Sequence, residues 1–363
     1  MVSLSVTLAC LSLSAAPPAT PIRAIRVGNP ISVLDNIGDT WVGAWGGDGS
    51  LYTPSDDTFG FNAAGNSNIA INRITGDDLL ALTGETVNTM ADYGVSSQEL
   101  ADGCNWKSGG CISIDGVLYL AISRHNYGQS SGDPFRRQTA KNASIIKSVN
   151  QGRSWTRSAL ENYDHPMFPG SRFATPYFVD FGKNEEGHVD LADRYVYGIS
   201  NNGFWDNGDG MILGRVLRQD LGKLNGSDWE FYTGGEGMLA ANWTRDMGRA
   251  RLILDQPNHL GMTGATYIPA FHCYLMIGWY YPKGGGKLAD ASRETVWDFY
   301  QSPKPWGPWS KFASHRFVPQ GYYGPSVCLK FSANHGKRLF AMTAGDWNDH
   351  SVYRLTFVPL ELN

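Results

Sequence analysis

Short apolar runs separated by glycine-rich turns recur along the chain from Ala24 to its C-terminal end. The stretch from Gly38 to Phe61 shows the unit. Trp41 to Trp45 forms one apolar run, Gly46-Gly47-Asp48-Gly49 follows, a second run starts at Leu51, and Asp56 and Asp57 close it. A Gly-Asp-Gly turn between aromatic-rich runs predicts a β-hairpin, because those positions require positive φ. Antiparallel strands bring the chain back to the edge it left, so Asp39 is expected on the same edge as Asp56 and Asp57. Asn68 to Ile74 alternates with period two and predicts a third strand.

The pattern repeats. Ile112 to Ile114, an Asp115-Gly116 turn and Val117 to Ser123 form a second hairpin, preceded by Asn105, Trp106 and Lys107 and followed by Arg124, His125 and Asn126. Ser144 to Thr156 reads as two outer strands and a turn. Within it, Ser148-Val-Asn-Gln-Gly-Arg-Ser-Trp155 is close to the Asp-box of sialidase-like propellers, with Asn150 where Asp is usual, and is read as a folding device. Further units start at Ser171, Asn258 and Tyr322. Trp306 and Trp309 are expected to pack between blades. Apart from a short turn at Gly76 to Leu82, no helical period of useful length competes. Five units at roughly sixty-residue spacing, with a lone strand at each end (Ala24 to Leu34 and the C-terminal run), predict radial repetition. The expected fold is all-β, a five-bladed β-propeller closed by its N- and C-terminal strands, forming one domain over residues 21–363.

Composition sharpens this picture. Of 363 residues, 43 are Gly and 45 are Trp, Tyr or Phe (12, 17 and 16), which suits short strands, tight turns and aromatic surfaces. The net charge of -4 and the lack of a basic run give no case for nucleic acid. Residues 1–20 form a short apolar run ending in small residues and prolines, too short for a bilayer, and resemble a secretion signal. No later segment suits a membrane span. Sequons at Asn142, Asn225 and Asn242 fit a secreted glycoprotein. Once Cys10 leaves with the signal, Cys104, Cys111, Cys273 and Cys328 remain. They form either two disulfides (Cys104 to Cys111, Cys273 to Cys328) or four buried thiols. No zinc-ligand spacing occurs.

Propeller topology gathers the entry loops of the inner strands on one face. The residues collected there are Asp39, Asp56 and Asp57; Asn105, Lys107, Arg124 and His125; Arg172, Asn201, Asn202 and Asp206; Asp255, Asn258, His259 and Tyr280; and Tyr322, Tyr323, Asp346 and Trp347. Acids, amides, cations and aromatic faces together suit a sugar. Glycoside cleavage takes two carboxyls, one protonated and one ionised. Asp39 and Asp57 are the candidate catalytic pair, with His125 as a further acid–base candidate because imidazole titrates near neutrality. Asn105, Lys107, Arg124, Arg172, Asn201, His259, Tyr280, Tyr323 and Trp347 are the candidate substrate-binding residues. Acids at such rims also cap backbone amides, and Asp206 and Asp209 read better as turn residues. One of Asp56 and Asp57 is expected to face inward and the other to be solvated. His272 reads as structural. No cofactor is called for, although the acidic rim would admit a structural calcium ion. A monomer acting on a polysaccharide or oligosaccharide is expected.

The ordered motifs resemble the secreted five-bladed propellers of domain-of-unknown-function family 4185. The matching residues are Asp39, Trp41, Trp45, Asp48, Gly49, Leu51, Tyr52, Thr53, Asp57, Gly60 and Phe61; then Lys107-Ser108-Gly109 and Asp115 to Tyr119; then YVYGIS, LGRV, Pro305 to Trp309 and a C-terminal GDW. The likeness covers nearly all of the chain after the signal. Some members are glycoside hydrolases, classed as family 183, that cut mycobacterial arabinan. The resemblance implies a glycan-cleaving enzyme with Asp39 and Asp57 as its carboxylates. The family pattern usually has Gly-Asp-Gly where this chain has Asp56-Asp57-Thr58, and the sequons point away from a bacterium, so the substrate need not be arabinan. A more distant likeness is to propeller polysaccharide lyases, which cleave next to uronic acids. His125, Arg124, Lys107 and Tyr280 would supply such a site. A non-catalytic carbohydrate-binding propeller is the third reading.

Overall fold

The computed structural model describes residues 17–32, 34–127, 133–187, 194–235, 241–285, 294–319 and 321–363. Most of the expected signal, residues 1–16, therefore lies outside the described residues. The structure is built almost entirely of antiparallel strands, as period-two alternation broken by turns requires. β1 (Ile25–Val27) comes first and is far shorter than the run from Ala24 to Leu34 suggested. The first antiparallel group holds β2 (Asn36–Asp39), β3 (Ala44–Trp45), β4 (Leu51–Phe61), β5 (Ser67–Thr75) and β6 (Thr83–Asn88). The second holds β7 (Asn105–Ile114), β8 (Val117–His125) and β9 (Ala140–Ser148). The third holds β10 (Tyr177–Asp180), β11 (Tyr195–Asn201), β12 (Gly208–Leu217), β13 (Glu230–Gly234), β14 (Asn242–Thr244) and β15 (Leu252–Leu260). The fourth holds β16 (Ala265–Ile268), β17 (Cys273–Tyr280), β18 (Thr295–Ser302) and β19 (Ser310–Phe317). β20 (Tyr323–Ala333), β21 (Arg338–Ala344) and β22 (Thr356–Leu362) form the last with β1, which pairs antiparallel to β22. The N- and C-terminal strands thus share a sheet.

The third and fourth groups join through a short parallel pairing of β10 with β16. β7 approaches β10 closely enough for Gly110 N to donate to Pro176 O at 2.9 Å. A Cβ at Gly110 would sit 2.6 Å from the Tyr177 Cα, so a side chain there would force these two strands apart. Val42, Cys111, Tyr177, Ala265 and Val327, drawn from all five groups, line one narrow central cavity of about 30 Å³. Trp306 packs on Tyr232 and Trp243, tying the fourth group to the third. Among the described residues the two α-helices, α1 (Ala159–Asp164) and α2 (Arg218–Leu221), are each under two turns and add only Ala159 and Leu221 to the core.

The turn at Ser148 to Trp155 closes on itself. Gly152 N donates to Ser148 Oγ at 2.8 Å, Ser154 N to Asn150 Oδ1 at 2.9 Å, and Trp155 Nε1 to Gly152 O at 3.1 Å. All four cysteines among the described residues are buried free thiols. Upstream of β1, Ile22 is fully buried, and its backbone N–H and carbonyl both bond the Gln301 side chain. Among the described residues no helix is long and apolar enough to cross a membrane.

Candidate active site

The first hairpin does not run as one unbroken ladder. β2 and β3 both pair with β4, but Thr40 between them adopts a left-handed φ of 56°. Before it, Gly38 has φ 143°, and a Cβ there would lie 2.5 Å from Thr58 Oγ1. Only glycine fits this bulge, which brings Asp39 into register with Asp56. Further along β4, Asp57 itself has φ 41°, a conformation that aspartate tolerates better than most residues. The two neighbouring acids are therefore split. Asp56 is fully buried, with both oxygens accepting from Ser108 N at 3.1 and 3.0 Å. Asp57 turns to the second group, where Lys107 Nζ lies 2.5 Å from its Oδ2. Of the two, Asp56 faces inward and Asp57 is the one that reaches solvent, though only in part, because Ser96, Tyr127 and Lys107 crowd it.

These surroundings give the acids different proton affinities. Burial, reinforced by the negative charge of Asp57, raises Asp39 to about 6, against lowering by Lys107 and by hydrogen bonds from Tyr323 and Thr40. The Tyr323 hydroxyl donates to Asp39 Oδ2 at 2.8 Å. Burial works to raise Asp57 too, but the Lys107 ammonium, the Ser96 hydroxyl at 2.8 Å and the Tyr127 hydroxyl at 3.0 Å hold it below the ordinary range. Burial pushes Asp56 well above that range. Asp39 and Asp57 are opposed in character, Asp39 raised toward holding a proton and Asp57 held ionised, while Asp56 has both its oxygens engaged by Ser108 N.

His125 is brought alongside but not as a base. It pairs in register with Asn105, as Lys107 does with Ser123, so these four side chains share one face of β7 and β8. Burial, with the nearby positive charges of Lys107 and Arg124, lowers His125 to about 3, and its Nε2 lies 2.7 Å from Ser123 Oγ. Arg124 and Trp106 take the opposite face. The Arg124 guanidinium lies 4.5 Å over the Trp106 ring and bonds Asp102 at 2.9 Å and the Cys104 carbonyl.

The other expected binding residues scatter. Arg172 donates to the Met247 and Ala250 carbonyls. Asn201 caps its own turn, accepting from Gly203 N and Phe204 N and donating to Leu260 O. His259 packs edge-on to Tyr280 at 4.1 Å. None of these four is joined to the Asp39–Asp57 cluster by a contact among the described residues. Tyr323 and Trp347 do belong with it, in an aromatic stack with Trp205, Tyr281 and Trp279. Sequence reasoning missed Ser96, Tyr127, Trp205, Tyr281 and Tyr353, whose hydroxyl donates to the Asp57 carbonyl at 3.2 Å. Tyr127 was within reach, two positions beyond His125 at the same strand end. Ser96 lies in a loop that carries no pattern.

Among the described residues no group of three or more His, Cys, Asp or Glu side chains is arranged to hold a metal ion. The carboxyls could protonate a leaving oxygen, and of the five aromatic residues beside them Trp347 alone is partly exposed and could meet a sugar ring.

No family model matches the chain, and no curated protein matches it in sequence. Solved structures do match it in fold. A protein of Bacteroides ovatus ATCC 8483, provisionally named a hydrolase, aligns with a TM-score of 0.56 at 14% identity over 91% of this chain and 87% of its own. The xylan β-1,4-xylosidase of Bacillus halodurans C-125 aligns with a TM-score of 0.50 at 12% identity, over 93% of this chain and 54% of its own. The GH43B protein of a Bacteroides ovatus xyloglucan PUL gives 0.50 and 14%, over 91% and 54%. This chain spans about half the length of the last two. At such identities the likeness is one of fold, a propeller-like all-β architecture.

Proposed function

We propose that the chain is a glycoside hydrolase, its five antiparallel groups being blades of a propeller closed by the pairing of β1 with β22. Asp39 is the general acid and Asp57 the carboxylate that acts on water or directly on the sugar. One observation carries this reading: two aspartates that influence each other electrostatically sit in environments that push their proton affinities apart, Asp39 up and Asp57 down. Such divergence distinguishes an acid from a base within one site. Protonated Asp39 gives its proton to the departing glycosidic oxygen while the C–O bond breaks. Ionised Asp57 supports the positive charge that develops at the anomeric carbon. Lys107 keeps Asp57 charged, and Tyr323 orients Asp39. The fold likeness to a xylosidase and a GH43 protein supports a carbohydrate substrate.

Lyase chemistry next to a uronic acid needs a base for the C5 proton and a free cation for the carboxylate. His125 is lowered too far to be an effective base near neutrality, Lys107 is engaged by Asp57, and Arg124 faces Asp102. These contacts favour the hydrolase. A polysaccharide panel read for reducing ends and for ultraviolet absorbance tests the choice. New reducing ends without absorbance support the proposal. Absorbing unsaturated products, or binding without cleavage of any glycan, would overturn it.

A further inference from the structure

An enzyme that cuts inside a polysaccharide must hold sugars on both sides of the bond, so its site lies in a trough open at two ends. An enzyme that trims a chain end needs only a pit. The contacts around Asp39 and Asp57 distinguish these two shapes.

Neighbouring groups are bridged at the edge that carries the acids. Between the first and second, Lys107 Nζ and the Tyr127 hydroxyl reach Asp57 Oδ2 at 2.5 and 3.0 Å. Between the second and third, Arg137 pairs with Asp209 at 2.9 Å, and Gln138 N donates to Asp206 Oδ1 at 3.1 Å. Asn207 ties the third to the fourth: its Nδ2 donates to the Tyr281 carbonyl at 2.8 Å, and Tyr281 N donates back to Asn207 Oδ1 at 3.0 Å. Tyr281 then meets Trp347 of the fifth group at right angles, with 6.0 Å between ring centres. The ring closes where the Tyr323 hydroxyl donates to Asp39 and the Tyr353 hydroxyl to the Asp57 carbonyl. One contact even spans two groups, from Gly285 N in the fourth to Phe135 O in the second at 2.7 Å. Among the described residues each seam is therefore tied, and a trough leading out between two groups would have to break such a tie.

Burial agrees with a closed ring. Asp39 is only 8% exposed, and Tyr323, Trp205, Tyr281 and Trp279 beside it are buried. A trough would offer open aromatic faces on both sides of the acids, because successive sugars stack on such faces. Here Trp347 alone of the stack is partly open. We propose that the site is a pit that admits a chain end, with Trp347 as the platform for one sugar, so that terminal sugars are released one at a time. This rests on the glycan-cleaving reading and adds where along the chain the cut falls. The step balances as hydrolysis. The glycosidic C–O bond nearest the chain end breaks, the departing oxygen takes the proton of Asp39, and water adds hydroxide to the anomeric carbon and returns a proton to the site.

The test uses the wild type with 4-nitrophenyl monoglycosides, with soluble xylan and arabinan, and with the same polymers as dye-crosslinked insoluble particles. A pit predicts release of 4-nitrophenol from a monoglycoside. It also predicts a monosaccharide as the first product of the polymer that is cleaved, with viscosity unchanged as reducing ends appear and no dye set free. Trp347→Ala should raise KM for the monoglycoside by about tenfold with a smaller change in kcat, the signature of a lost binding face. Viscosity that falls ahead of the reducing ends, or soluble dyed fragments, would overturn the pit and leave the hydrolase reading standing. Cleavage of none of the probes would count against the hydrolase reading itself, and the pit would fall with it.

Discussion

Lys107→Met removes one charge from the centre of the site while keeping the length and apolar stem of the side chain. The ammonium sits 2.5 Å from Asp57 with its side chain 5% exposed, against 20% for Asp57. Removing one partner of a buried pair costs about 3 kcal/mol, toward the low end of the usual range because Asp57 reaches some solvent. At about 2 °C per kcal/mol for a chain of this size, Tm at pH 7 should fall by about 6 °C. The pH dependence has two edges. Asp57, held low, lends stability above the ordinary aspartate range that is lost as pH falls through its folded value. Lys107, raised chiefly by Asp57 against its own burial, lends stability below the ordinary lysine range that is lost as pH rises through its folded value. The Tm gap should therefore be widest from about pH 5 to 9 and should narrow in acid. Activity gives a second reading. Lys107 lowers both Asp39 and Asp57, so its loss should move both limbs of the kcat/KM profile to higher pH. The alkaline limb, set in wild type by Asp39 at about 6, should move up by about one unit or more. A folded variant whose profile stays in place, or moves to lower pH, would refute the coupling.

Tyr323→Phe removes the hydroxyl that donates to Asp39 Oδ2. It should raise the alkaline limb and cost about 1 kcal/mol in urea unfolding, whereas an unmoved limb would separate Tyr323 from the acid. His125→Gln should keep kcat/KM within about tenfold of wild type and leave both limbs in place, because a histidine lowered to about 3 is neutral throughout. A loss of 10²-fold or more would restore it as a base. Asn150→Ala removes an oxygen that accepts from Ser154 N and should cost about 1 kcal/mol with no change in kcat/KM.

The acids of the site were legible because a hairpin must return to its starting edge, and a turn such as Gly46 to Gly49 can be read from composition. Asp39 and Asp56 duly face each other across β2 and β4. Backbone detail was not legible. Nothing in the letters announces the left-handed φ at Thr40 or Asp57, yet these conformations decide which acid meets Lys107. Strand limits also shifted: Asn105 and Lys107, placed before the second hairpin, lie inside β7, where alternation sends Lys107 and Trp106 to opposite faces. Arg124 shows the same limit. Its charge suggested a substrate contact, but a planar guanidinium also suits the Trp106 ring and Asp102, and only the packing decides between them. Arg172 and Asn201 went to backbone carbonyls and turn amides, partners that leave no mark in a sequence.

The most direct test of the central claim is turnover by Asp39→Asn and Asp57→Asn on whichever glycan the wild type cleaves. Melting curves should be recorded beside it, since Asp39→Asn keeps an acceptor for Tyr323 and Asp57→Asn leaves Lys107 without its counter-charge. Each variant should lose about 10²-fold or more in kcat, with Asp39→Asn melting near wild type. If both variants stay folded and turn over at wild-type rates, the chemistry lies elsewhere and the account is wrong.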